Sequence, residues 1–89
     1  MGLRWTQTAL RSLDEIAEFI ANDSPTGATR FVLDLKAAVI RLQMHPGMGR
    51  AGRVTGTREL VVYKNYIAIY RVRGDEVEIL RLHHVARNL

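Results

Sequence analysis

The chain has 89 residues, 47% hydrophobic and 25% charged, with a formal net charge of +4 and no cysteine. That length is expected to make one small domain, residues 1–89, burying only roughly 60–65% of its unfolded surface, so its stability margin is thin. The missing cysteines exclude disulfides, thiolate zinc sites and cysteine nucleophiles, and no apolar run reaches the roughly 20 residues of a membrane span, so a cytoplasmic protein with no membrane partner is expected.

The charge is unevenly placed. Met1 to Asp34 carries −2, whereas Leu35 to Leu89 carries +6. A basic second half suits an acidic or polyanionic partner.

Leu3 and Trp5 alternate as in a short strand. From Thr8 to Asn22, Leu10, Leu13, Ile16, Ala17 and Ile20 recur three or four apart, while Arg11, Asp14, Glu15 and Glu18 take the other side, the pattern of an amphipathic helix. Asn22-Asp23-Ser24-Pro25 interrupts it and restarts the chain, because Ser24 caps free N–H groups and Pro25 suits a first helical turn. The second helix runs to about Met44 on a stripe of Ala28, Phe31, Val32, Leu35, Ala38, Val39 and Leu42. So short a break implies an antiparallel helical hairpin.

His45-Pro46-Gly47-Met48-Gly49-Arg50-Ala51-Gly52 then ends the helix as a turn-rich segment. Three β-rich runs follow, Arg58 to Tyr63, Tyr66 to Val72 and Val77 to Val85, joined by the hairpin-length links Lys64-Asn65 and Arg73-Gly74-Asp75-Glu76. They predict an antiparallel meander. The fold class is therefore α+β, β-α-α-β-β-β, with the helical hairpin across one face of a mainly antiparallel sheet and the other face open for function. In the middle run Ile67, Ile69 and Arg71 share one side and Tyr66, Ala68 and Tyr70 the other, so parity leaves the core side open.

Arg81, His83, His84 and Arg87 cluster at the C-terminus. In an extended strand Arg81 and His83 share a side and His84 faces away. A guanidinium beside an imidazole suits phosphate binding and proton transfer, and equally a carboxylate on a partner peptide. No metal site or cofactor is expected: adjacent histidines on a strand point apart, and no carboxylate stands at helical spacing from either. Asp75, Glu76 and Glu78 read as solvated turn residues, with a cross-strand rim ion pair of Arg71 with Glu59 or Glu78 as the alternative. Arg50, Arg53, Arg58 and Lys64, near Tyr63 and Tyr66, mix cations with aromatic faces as nucleic-acid surfaces do, or simply solvate turns around packed tyrosines.

In their order, Leu10-Arg11-Ser12-Leu13-Asp14-Glu15-Ile16, the His45-Pro46-Gly47-Met48-Gly49-Arg50 turn, Thr57-Arg58-Glu59-Leu60-Val61-Val62, Tyr66-Ile67-Ala68-Ile69-Tyr70-Arg71-Val72 and the Val77 to Arg87 strand resemble the RelE/ParE superfamily of bacterial toxin–antitoxin toxins. The resemblance spans nearly the whole chain. It implies a growth-inhibiting toxin neutralised by a cognate antitoxin, of the kind that serves plasmid stabilisation. RelE-like members cut messenger RNA on the ribosome, whereas ParE-like members poison DNA gyrase. Nuclease members tend to carry an arginine three residues before the tyrosine that Tyr70 matches. Here that position is Ile67.

The ending His84 to Arg87 is ParE-like, which favours a gyrase poison over an enzyme. Arg50, Arg53, Arg58, Tyr66, Arg71, Arg81, His84 and Arg87 are then the expected partner-binding residues. The alternatives are a ribosome-dependent nuclease using Arg71, Arg81, His83 and His84, or a non-toxic interaction module.

Overall fold

In the computed structural model, which describes residues 1–85, the chain runs β1 (Gly2–Trp5), α1 (Gln7–Asp23), α2 (Pro25–Met44), β2 (Arg50–Ala51), β3 (Arg58–Tyr63), β4 (Tyr66–Arg73) and β5 (Glu76–His84). The strands form one sheet in the order β1-β5-β4-β3-β2. The meander is antiparallel, and β1 joins its far edge parallel to β5. The sequence marks the short β2 only as a turn. Two residues bonded to β3 are too few for a periodicity signal.

One residue separates the two helices, and Ser24 serves both. Its N–H donates to the Ile20 carbonyl, ending α1, while its hydroxyl accepts from the Gly27 N–H at 3.0 Å, starting α2. Phe31, Leu35, Ala38, Val39 and Leu42 of α2 are buried against the sheet, joined by Ala9 of α1. Beneath them Tyr66, Ala68 and Tyr70 line the helix side of β4, which settles the parity the alternation left open. Phe31 sits in the middle, its ring centroid 5.6 Å from Tyr63 and 5.7 Å from Tyr66.

The edge of β5 is sealed in two stages. β1 pairs with it from Glu76 to Ile79, and where β1 stops, side chains of the α1 entrance take over. The Thr6 hydroxyl donates to the Leu80 carbonyl and accepts from the Ala9 N–H, capping α1 with the same atom. The Ser12 hydroxyl accepts from the Leu82 N–H at 3.0 Å. Leu80 is an extra residue in the ladder, since Ile69 pairs with Arg81 and Tyr70 with Ile79. That bulge keeps Val77, Ile79 and Leu82 all in the core.

At the other end the 45–49 turn is fixed from below. The Tyr70 hydroxyl accepts from the Gly49 N–H at 2.9 Å and donates to the Pro46 carbonyl at 2.8 Å. A side chain at position 49 would place its Cβ 2.6 Å from that oxygen, so only glycine lets the turn come so close.

A candidate partner-binding face

The registers place residues on the open side of the sheet in rows across neighbouring strands. Arg4, Glu78 and Arg71 form one row, from β1, β5 and β4. Arg81, Ile69, Glu59 and Arg50 form the next, from β5, β4, β3 and β2. His83, Ile67 and Val61 form a third.

Three cations on this face, Arg4, Arg50 and Arg71, lie against buried carboxylates. Arg71 Nε donates to Glu78 Oε1 at 2.6 Å, and Arg4 Nε lies 3.7 Å from Glu78 Oε2. Glu78 is only 5% exposed, which corrects its reading as a solvated turn residue. Its place between Val77 and Ile79, both fully buried, sets it inside the strand, and the turn itself is only Gly74-Asp75. The Arg71 hydrogen bond holds its carboxyl below the usual value. Burial opposes that shift, and the nearby charges of Arg71, Arg4 and Arg73 reinforce it. Arg50 likewise donates from Nε and Nη2 to Glu59 Oε1, at 3.2 and 3.1 Å.

The expected site residues divide accordingly. Arg50, Arg71 and Arg81 share the open face, the first two as partners of glutamates. Arg53 is exposed in the bend between β2 and β3. Arg58 has a structural duty: its Nη1 donates to the carbonyls of Gly49 at 2.8 Å and Gly47 at 3.3 Å, fastening the turn from outside as Tyr70 does from within. Tyr66 is 6% exposed against Phe31 and is no open stacking surface, because the helix side of β4 needs its ring. Arg87 lies outside the described residues.

The four residues of the nuclease alternative are not gathered on one face. Arg81 and His83 lie in adjacent rows of the open side, but Arg71 is tied to Glu78, and His84 turns away to meet the Tyr66 ring edge-on at 4.6 Å. Arg81, His83 and His84 instead border a groove of about 320 Å³ with Arg11, Ser12 and Glu15 of α1. The sequence reading missed Arg11 and Arg4; of the two cross-strand partners it offered Arg71, the structure gives Glu78 to Arg71 and Glu59 to Arg50. Among the described residues, no three histidine or acidic side chains are placed to hold a metal ion, and no helix is long and apolar enough to cross a membrane.

Comparison with known proteins gives this face a context. Residues 3–89 match the family described as ParE toxin of type II toxin-antitoxin system, parDE. The chain belongs to that family. A Sinorhizobium fredii relative, Y4kP, is 47% identical over 83 residues, covering 92% of this chain and 85% of its own. Toxin RelE2 of Caulobacter vibrioides is 41% identical over 83 residues, 93% of each chain.

Among solved structures, one titled as the chromosomal ParDE TA system from P. aeruginosa superposes with a TM-score of 0.81 at 35% identity, covering 96% of both chains. The YoeB/ParE toxin from Agrobacterium tumefaciens, at 18% identity and a TM-score of 0.67 over 94% of this chain and 98% of its own, shares the fold. This ParE-family protein is thus a type II toxin, and its module implies a cognate antitoxin.

Proposed function

We propose that this toxin inhibits DNA gyrase and does not cut messenger RNA. One observation carries the reading. At Ile67, where the nuclease members it resembles carry an arginine, the open face has an aliphatic side chain, 4% exposed and paired in register with Val61 and His83. An isoleucine there offers no charge to a scissile phosphate.

On the same side of β4, Arg71 is already bonded to Glu78, and on β2 Arg50 is bonded to Glu59, which leaves Arg81 of β5 outside these ion pairs. A carboxylate beside each paired guanidinium lowers the local potential that would draw a phosphodiester in. What remains is a gripping surface of tethered arginines, with Arg81 beside them, around an aliphatic centre, suited to holding a macromolecule. Such an action takes place in the cytoplasm, where gyrase and the antitoxin would be met.

The test is a supercoiling assay with purified toxin. Inhibition with accumulation of cleaved DNA complexes, relieved by the antitoxin, is the expected result. New messenger RNA ends in a translating extract, lost when His83 and His84 become alanine, would establish the ribosome-dependent reading instead. Unimpaired bacterial growth on induced expression would point to a non-toxic interaction module.

A further inference from the structure

Arg4 and Arg71 approach Glu78 from opposite sides, one from each neighbouring strand, and each does so through Nε. Arg71, hydrogen-bonded at Nε, and Arg4, whose Nε stands 3.7 Å from the carboxylate, both keep the outer edge of the fork, the two Nη groups, for a second acceptor. The Arg4 and Arg71 side chains remain 67% and 41% exposed, while that of Glu78 is 7% exposed. The carboxylate therefore lies beneath two cations that reach solvent. The row has two positive charges against one negative, an excess that a single further carboxylate neutralises.

The same face sets limits on what lies over it. Successive rows stand two residues apart along a strand, roughly 6.6–7 Å, which is also the spacing of same-side residues in an extended peptide. Beyond the Arg4–Glu78–Arg71 row come Ile69 and then Ile67 with Val61, which is 57% exposed. All three tyrosines are buried in the core, so this side lacks the tyrosine stacking platforms that single-stranded nucleic acid favours.

We infer that the Arg4–Glu78–Arg71 row is a receptor for one carboxylate of an extended segment of the antitoxin, with Glu78 as the positioning residue that aims both guanidiniums. The segment places an aspartate or glutamate over this row and apolar side chains two and four residues along, over Ile69 and over Val61. The inference rests on the toxin–antitoxin assignment and is independent of whether gyrase or the ribosome is the target.

Charge alone and positioning predict opposite effects for E78Q. Removing a negative charge from the face would tighten binding of an acidic partner if long-range attraction were the whole effect. If Glu78 positions the arginines, the same change weakens it. The experiment is calorimetric titration of the purified toxin with its cognate antitoxin, in parallel with fluorescence titration against a labelled 20-base-pair DNA duplex and a labelled single-stranded RNA.

E78Q is expected to lower antitoxin affinity roughly tenfold. R71K, which keeps the charge but lacks the fork, should do the same, and nucleic-acid binding should change in neither. R71K alters only a half-exposed side chain, so it decides the matter should E78Q fail to fold. Unchanged or tighter antitoxin binding by E78Q, or by R71K where E78Q does not fold, would overturn the inference. Effects confined to the nucleic-acid arms would overturn it in favour of a phosphate site. Because no arm contains gyrase, these outcomes are separate from the supercoiling result.

Discussion

Replacing Tyr70 by phenylalanine removes one oxygen atom and leaves the buried ring in place. That oxygen bridges β4 to the 45–49 turn by accepting from the Gly49 N–H and donating to the Pro46 carbonyl. Each hydrogen bond is worth about 1 kcal/mol net, and a buried donor left without a partner costs about 1–3 kcal/mol. The Gly49 contact is buried and the Pro46 contact partly so, which puts the loss at about 2–3 kcal/mol. A chain of 89 residues has a total stability of only roughly 4–13 kcal/mol, and each kcal/mol moves the melting temperature of so small a domain by about 4–8 °C.

Thermal and urea unfolding followed by circular dichroism should therefore show Y70F melting roughly 10–20 °C below wild type. A loss under about 0.5 kcal/mol, the size of an ordinary surface change, would refute the bridge. G49A provides the coupling test. Its new Cβ would lie 2.6 Å from the Tyr70 oxygen and 2.8 Å from the Glu59 carbonyl oxygen, so it is expected to cost about 1–3 kcal/mol in wild type. Part of that clash vanishes with the hydroxyl, so the double variant should lose less than the sum of the two single losses.

F31A, which empties the space between Tyr63 and Tyr66, should cost about 3–5 kcal/mol by urea midpoint, while leaving a hydrophobic pocket that small apolar ligands partly restore. S24A removes the cap of α2 but keeps the backbone bond that ends α1, so a loss of about 1 kcal/mol is expected, with helicity falling at the start of α2 in hydrogen exchange. Glu78 titrates below its ordinary value of 4.5 in the folded state, so its ionised form contributes stability that is complete above that value and is lost as pH falls through the lower folded value. Urea midpoints taken from neutral pH downward should thus decline less steeply in E78Q than in wild type below about pH 4.5, and identical acid limbs would show that the pair contributes nothing.

Much of this architecture was legible because its signals are periodic and local. The stripe from Ala28 to Leu42 and the Ser24-Pro25 break predicted α2 as observed, and the hairpin links placed all three meander strands to within a residue or so. What stayed hidden depends on pairing across strands. Whether Ile67 or Ala68 faces the helices is undecidable within β4, since both are apolar; it is decided by Phe31 and its neighbours, which need the Tyr66 side. The parallel partner of β1 and the bulge at Leu80 are likewise properties of register. Glu78 is only half legible for the same reason: beside a Gly-Asp turn it looks solvated or at most a rim partner of Arg71, and only the arginines brought alongside by β1 and β4 make burial of its charge tolerable.

The basic excess of the second half therefore acts differently from a diffuse positive cloud. Five arginines reach the open face at positions 4, 50, 71, 73 and 81, against glutamates at 59, 76 and 78, and those at 59 and 78 are buried beneath their partners. A free arginine loses roughly 2 kcal/mol of rotamer freedom when a partner immobilises it. One already tethered at Nε has lost much of that on folding, so contact with the partner costs less then. The tethering has an electrostatic drawback, because each buried carboxylate subtracts from the field that speeds encounter. Arg73 and Arg81, exposed and outside those ion pairs, retain that role of attraction. The face thus separates two tasks, with exposed arginines drawing an acidic segment in and carboxylate-held arginines fixing where it comes to rest.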